Sequence, residues 1–206
     1  MIKFQTDYYE SLFKIKIDTI KIKLFNKFRS FKKVQKIIAP SLDSGTGFYS
    51  GNMKTIYVYK IDDFLQVIFH EINHAIVRQV ITRVPTWINE GMAVFFEYFT
   101  IKTDGVSIKM QSGRLAKTKE WVKENKVDLK ALLNYSYKEW HNKNLSPRGY
   151  SYTVSYSFIC YLYVNYPGAI GTILKLLKKG KNSIEAIEFA TKKKIEFIEK
   201  DFLSRN

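Results

Sequence analysis

Five consecutive residues, His70-Glu71-Ile72-Asn73-His74, carry the side chains and the spacing from which chemistry can be built. On a helix, side chains four apart share a face, so His70 and His74 can address one cation. Glu71 stands one position on, beside such an ion rather than bound to it, where a general base for an activated water belongs. The chain has three histidines and two of them fall in this window, which weighs against a pair of ordinary core imidazoles. A hydrolytic zinc site wants three protein ligands and one open position. Glu90, within Trp87-Ile88-Asn89-Glu90-Gly91-Met92-Ala93, is expected to be the third. Two imidazoles and a carboxylate leave a net charge of about +1 on the site, and such a site brings the pKa of a bound water to roughly 7.

Two helices must hold these groups. The apolar stretch from Phe64 predicts a helix running on to about Val80, with Asp62 and Asp63 suited to its positive end. Arg83 to Thr86 reads as a turn, because Pro85 disfavours helix at Val84 and Thr86 can cap the next helix. That second helix is expected from Trp87 to about Phe99, with Glu90 near its start. Glu97 lies seven residues later on the same face. It could orient a ligating imidazole, as such rings usually require, although a surface ion pair is the commoner role.

Around these helices, Phe48 to Ser50 and Ile56 to Tyr59 read as strands about a Gly51-Asn52 turn, and Val34 to Ala39 as a short strand ended by Pro40. Asp43 to Gly47 is a loop. Residues 7 to 31 admit a helical stripe (Phe13, Ile17, Ile20, Leu24, Phe28, Phe31) and, locally, strand-like alternation from Ile20 to Leu24. The helix is preferred because its stripe is longer. Turns are expected at Thr103-Asp104-Gly105 and at Gln111 to Gly113. The second half reads as helices over 115–124, 129–133 after Asp128, 151–166, 169–179, 183–190 with Ser183 as cap, and 195–203. His141 falls in a loop on this reading, where solvent exposure is the usual fate.

The metal motif and the downstream Pro85-Thr86-Trp87-Ile88-Asn89-Glu90-Gly91-Met92-Ala93 segment resemble the glutamate-ligand zincins (gluzincins), and specifically the peptidase-MA-like family, whose pattern is HExxH followed by a W-x-x-E-G-x-A helix. Tyr152 to Leu162 resembles that family's later helix, which opens on a tyrosine and closes in a Tyr-Leu pair. Asn182 to Phe202 resembles its closing helices. The resemblance implies an α+β, zincin-like fold in one domain over residues 1–206. A small N-terminal β-sheet with the HExxH helix would occupy about 1–110, and a mostly helical C-terminal lobe the rest. It implies Zn²⁺ as cofactor, peptide or protein as substrate, and Glu71 taking a proton from the attacking water and delivering it to the leaving amine. It further implies Tyr152 as a second oxyanion stabiliser, with Tyr156 one helical turn on and His141 as other choices. By analogy with zincins, the strand at Gly47, Phe48 and Tyr49 would pair with an extended substrate, though an ordinary hairpin is as good a reading. The G-x-M-E-N motif of gluzincin aminopeptidases is absent, so an endopeptidase is expected. The region before Asp43 departs from recognisable family features.

Composition narrows the rest. With 46% hydrophobic and 16% aromatic residues the chain is globular in type. Its single cysteine, Cys160, excludes an internal disulfide and reads as a small core residue. No apolar window approaches the roughly 18 residues of a membrane-spanning helix. The start as given lacks a signal-peptide core, which reads as cytoplasmic; an extracytoplasmic setting stays open if a signal has been removed. The net charge of +15 favours anionic surroundings, yet no nucleic-acid-binding signature occurs, and the runs Lys178 to Lys181 and Lys192 to Lys194 carry no interleaved aromatics. The alternatives to a peptidase are a non-catalytic zinc-bound module that meets an anionic partner, and a nucleic-acid binder that happens to hold zinc.

Overall fold

The computed structural model describes residues 2–102 and 105–205. The chain opens with α1 (Ile2–Phe13), which ends where Lys14 takes a left-handed conformation at φ 55°. An extended stretch leads to β1 (Lys21–Phe25) and then α2 (Phe28–Ile38). The single helix expected over 7–31 is therefore two helices with a strand between them. The alternation from Ile20 to Leu24 wins locally because β1 pairs, parallel and in register, with β3, Ile22 beside Ile56 and Leu24 beside Val58. The strand expected at Val34 to Ala39 is instead the second half of α2. Phe31 and Gln35, four apart, form its buried face, and that face needs helical spacing to meet the sheet.

The sheet has three strands in the order β1-β3-β2, where β2 is Gly47–Ser50 and β3 is Thr55–Tyr59. On one side, Phe25, Phe48 and Tyr57 enclose Phe31 of α2 in an aromatic cluster. On the other, Ile56 and Val58 join the main core over α3 (Phe64–Val80). That core continues without a break from Tyr9 to Phe202. Asp63 does sit at the head of α3, but its side chain caps nothing there.

After α3 the chain turns at Pro85 into α4 (Thr86–Glu97), one residue earlier than expected, with Thr86 inside the helix. Phe99–Lys102 and Gly105–Ile108 form an antiparallel pair, β4 and β5, which the sequence reading does not assign as strands. The turn expected over 103–105 rests on residues outside those described. Next come α5 (Ser112–Lys123), α6 (Leu129–Asn134), α7 (Tyr137–Leu145), α8 (Tyr150–Asn165), α9 (Ala169–Lys178), α10 (Ser183–Thr191) and α11 (Ile195–Arg205). Residues 112 and 113, expected in a turn, open α5. Helix α7 replaces the loop expected around His141; a capping box between Ser136 and Glu139 starts it. The cap of α10 is Asn182, whose side chain accepts from the Glu185 N–H, and not Ser183. Helix α8 is buried over most of its circumference, as an apolar helix at the centre of a domain must be. The protein is thus a mixed α+β fold, mostly helical with a small sheet. Among the described residues no helix is long and apolar enough to cross a membrane.

Candidate metal centre

His70 and His74 stand on α3 one turn apart, their rings edge-to-face at 4.7 Å between centroids. Glu90 enters from the second turn of α4. One of its oxygens, Oε2, lies 3.4 Å from His70 Nε2 and 3.4 Å from His74 Nε2. The other, Oε1, accepts from the Asn89 side-chain amide at 3.3 Å. Oε2 is buried and has no hydrogen-bond partner. Three electron-pair donors therefore face one point, and ligand atoms from all three residues lie within 4.8 Å of one another.

Such an arrangement repels itself unless something positive sits at its centre. Burial alone would raise the Glu90 carboxyl, but the two imidazoles outweigh burial and hold it well below the usual carboxylate range. Burial alone would lower His70 and His74, and the carboxylates around them reverse that and raise both. The site thus asks either for protons on the rings or for a cation. Donors about 2.0–2.1 Å from an ion in a tetrahedron are about 3.3–3.4 Å apart, and the two separations from Glu90 Oε2 to the imidazole nitrogens match that.

Each letter of the W-x-x-E-G-x-A segment has a local reason. The Trp87 indole N–H donates to Ser183 Oγ at 2.9 Å, tying the start of α4 to α10. At Gly91 a Cβ would lie 3.0 Å from the Ser155 carbonyl oxygen and 2.8 Å from Ile159 Cγ1, so only glycine lets α4 approach α8 this closely. Ala93 is fully buried in the same layer.

Behind the ligands a second set of contacts fixes them. Glu97 Oε1 is 2.6 Å from His70 Nδ1, so Glu97 orients the ring and is not a surface ion pair. Its spacing of seven from Glu90 is the sequence signal for that role. His74 Nδ1 is buried with no such partner among the described residues. Asn73 carries no role in the sequence reading, yet it is fully buried, accepts from the Tyr9 hydroxyl at 2.6 Å and donates to the Asn89 carbonyl at 3.2 Å. Gln5 adds a bond to the Phe69 carbonyl at 3.1 Å. Helix α1 is thereby pinned to the back of α3, and α3 to the residue before Glu90. No local pattern could have shown this, since Tyr9 and Asn73 are far apart in the chain.

Glu71 is buried beside the two rings. Burial raises its carboxyl, against the pull of the two imidazoles and of the Tyr49 backbone N–H. Tyr152, on the first turn of α8, has its ring 6.3 Å from that of His70 and 4.6 Å from that of Trp140. Burial, then the charges of Glu90 and Glu71, push its phenol upward, so it stays a donor. Tyr156 is spent elsewhere: its hydroxyl accepts from the Gln111 N–H at 2.8 Å. His141 is exposed on α7 and stacks on Tyr137. Cys160 is buried in the core, and burial pushes its thiol up to about 11, which leaves it inert.

Of the three residues expected on the substrate strand, β2 is indeed a sheet edge. Gly47 presses on α3, where a Cβ would lie 2.5 Å from Val67 Cγ1. Its N–H and C=O are both bonded to the Ser44 hydroxyl, at 3.2 and 2.5 Å. Phe48 turns to the opposite face and stacks on Tyr57 at 4.9 Å. Tyr49 lies on the α3 side, and its backbone N–H acts on the Glu71 carboxyl. The chain matches no protein-family model and no curated protein.

Proposed function

We propose that this protein is a zinc-dependent peptidase of the gluzincin type, akin to the peptidase-MA-like family, with His70, His74 and Glu90 as metal ligands and Glu71 as general base. The observation that carries the reading is the Glu90 oxygen equidistant from two imidazole nitrogens, buried, charged and otherwise without a partner. A zincin-like arrangement is consistent with the order of parts: a sheet with a free edge, the HExxH helix beneath it, then the helix of the third ligand.

Zinc would supply Lewis acidity there, polarising a carbonyl and lowering the pKa of a bound water to about 7. The protein's own groups do the rest. Glu71 accepts the proton of the attacking water on a carboxylate oxygen and passes it to the leaving amine. Burial raises the Glu71 carboxyl, which improves it as a proton carrier near neutral pH. The Tyr152 hydroxyl donates to the oxyanion as charge develops. Glu97 holds the His70 ring in one tautomer, Nδ1–H toward the carboxylate and Nε2 toward the site. The edge of β2 at Tyr49 offers the main-chain groups for an extended peptide substrate.

Metal analysis of the purified protein, paired with digestion of a peptide library with and without a chelator, tests this. Zinc together with chelator-sensitive internal cleavage is expected. Zinc without cleavage would leave a non-catalytic zinc-bound module, and a protein that takes up no metal would remove both readings.

A further inference from the structure

The +15 charge is not evenly spread. Between Thr19 and Leu42 stand seven lysines and arginines and not one aspartate or glutamate. This block is β1 and α2. On α2, Arg29, Lys33 and Lys36 recur at four and three and share the face turned away from the sheet. Lys21 and Lys23 alternate with Phe25 on the side of β1 that α2 covers, so they flank it. The acids that bracket the block, Asp18 and Asp43, are each already held by a lysine, Lys54 and Lys32. Among the described residues the remaining cations of the block form no ion pair.

Outside the block acids are interspersed among the lysines, and some of these lysines are paired. Lys117, Lys126, Lys130, Lys181 and Lys194 each pair with a glutamate. The exposed Phe189 and Phe197 near the C-terminus lie under the ammonium groups of Lys192 and Lys193, at 4.0 and 5.1 Å. In the β1–α2 block apolar side chains stand exposed beside the free cations: Ile37 is 72% exposed and Phe28 46%.

From this we infer that the β1–α2 layer is a docking surface for an anionic phospholipid bilayer. Cations without partners are attracted to a negative headgroup layer, at about 1 kcal/mol for each one near the surface. Ile37, beside Lys33 and Lys36, enters the headgroup boundary, where an aliphatic side chain leaves water. Nucleic acid would satisfy the charge but not Ile37, which has no π-face for a base to stack on. The surface lies across the sheet from the candidate metal centre, so docking leaves that centre free.

The test is co-sedimentation of the full chain with phosphatidylcholine vesicles, with and without phosphatidylserine. Binding is expected to the anionic vesicles alone and to weaken as salt rises. The double variant Lys33→Glu/Lys36→Glu, folded by circular dichroism, should bind at least about tenfold more weakly. Ile37→Ser should weaken binding several-fold while keeping its salt dependence. Lys193→Glu/Lys194→Glu makes the same change of net charge and should bind as the parent does. Equal binding to neutral vesicles, no binding, or equal losses from the two double variants would overturn the proposal. So would tighter binding to single-stranded oligonucleotides that Ile37→Ser leaves unaltered, which would make nucleic acid the partner.

Discussion

The α3–α4 pair and the β1–α2 layer both concentrate charge, and they treat it in opposite ways. In the first, a carboxylate is buried between two imidazoles and a fourth group, Glu97, stands behind one of them. In the second, the cations other than Lys32 are exposed and form no ion pair among the described residues. A buried ion costs several kcal/mol unless it is compensated, so convergence in the interior demands either protons on the rings or a cation. An exposed lysine costs almost nothing to leave alone. Its clustering therefore says little about folding and more about what the surface meets.

That contrast can be broken first at the buried end. Glu71→Gln should cut peptide hydrolysis by about 10²–10⁴-fold with bound zinc unchanged; a variant that still cleaves would detach Glu71 from the chemistry. Tyr152→Phe should lower kcat by about 10²–10³-fold with KM and metal content little altered, and an unchanged kcat would return this tyrosine to the core. Glu97→Gln should weaken zinc binding by about 10–100-fold in a competition titration against a chromophoric chelator, because the His70 ring loses its charged anchor. Should affinity stay put, His70 is as free as His74, whose outer nitrogen has no partner among the described residues. The smallest change is expected from Tyr9→Phe. It strips the donor from Asn73 Oδ1 and should cost about 1–3 kcal/mol in urea unfolding, while the proposed hydrolysis by the metal-saturated protein keeps its rate.

The metal helix, its extent and the helix of Glu90 are legible because their signals are local: four-residue spacing, an apolar run, a proline at the corner. The layer outside the sheet is not. Val34, Ile37 and Ile38 have strand-like composition, and only the arrival of Phe48 and Tyr57 from β2 and β3 turns that stretch into a helix with Phe31 and Gln35 inward. Ile20 to Leu24 alternates as a strand does, yet the partner that makes it one is β3, far along the chain. Tyr152, singled out by resemblance, does stand at the cluster. Phe48 shares the strand with Tyr49, and the pleat turns it away. Asn73 sits inside the motif in plain view, but a buried amide has no meaning until Tyr9 and the Asn89 carbonyl are beside it.

One contact reaches beyond packing. Helices α4 and α8 approach main chain to main chain at Gly91, and each carries a group of the proposed site close to that point, Glu90 on one and Tyr152 on the other. A methyl group at position 91 would act as a wedge driven between two jaws. The carboxylate and the phenol would part by a shared amount, so the spacing between them is inherited from a residue that has no side chain of its own.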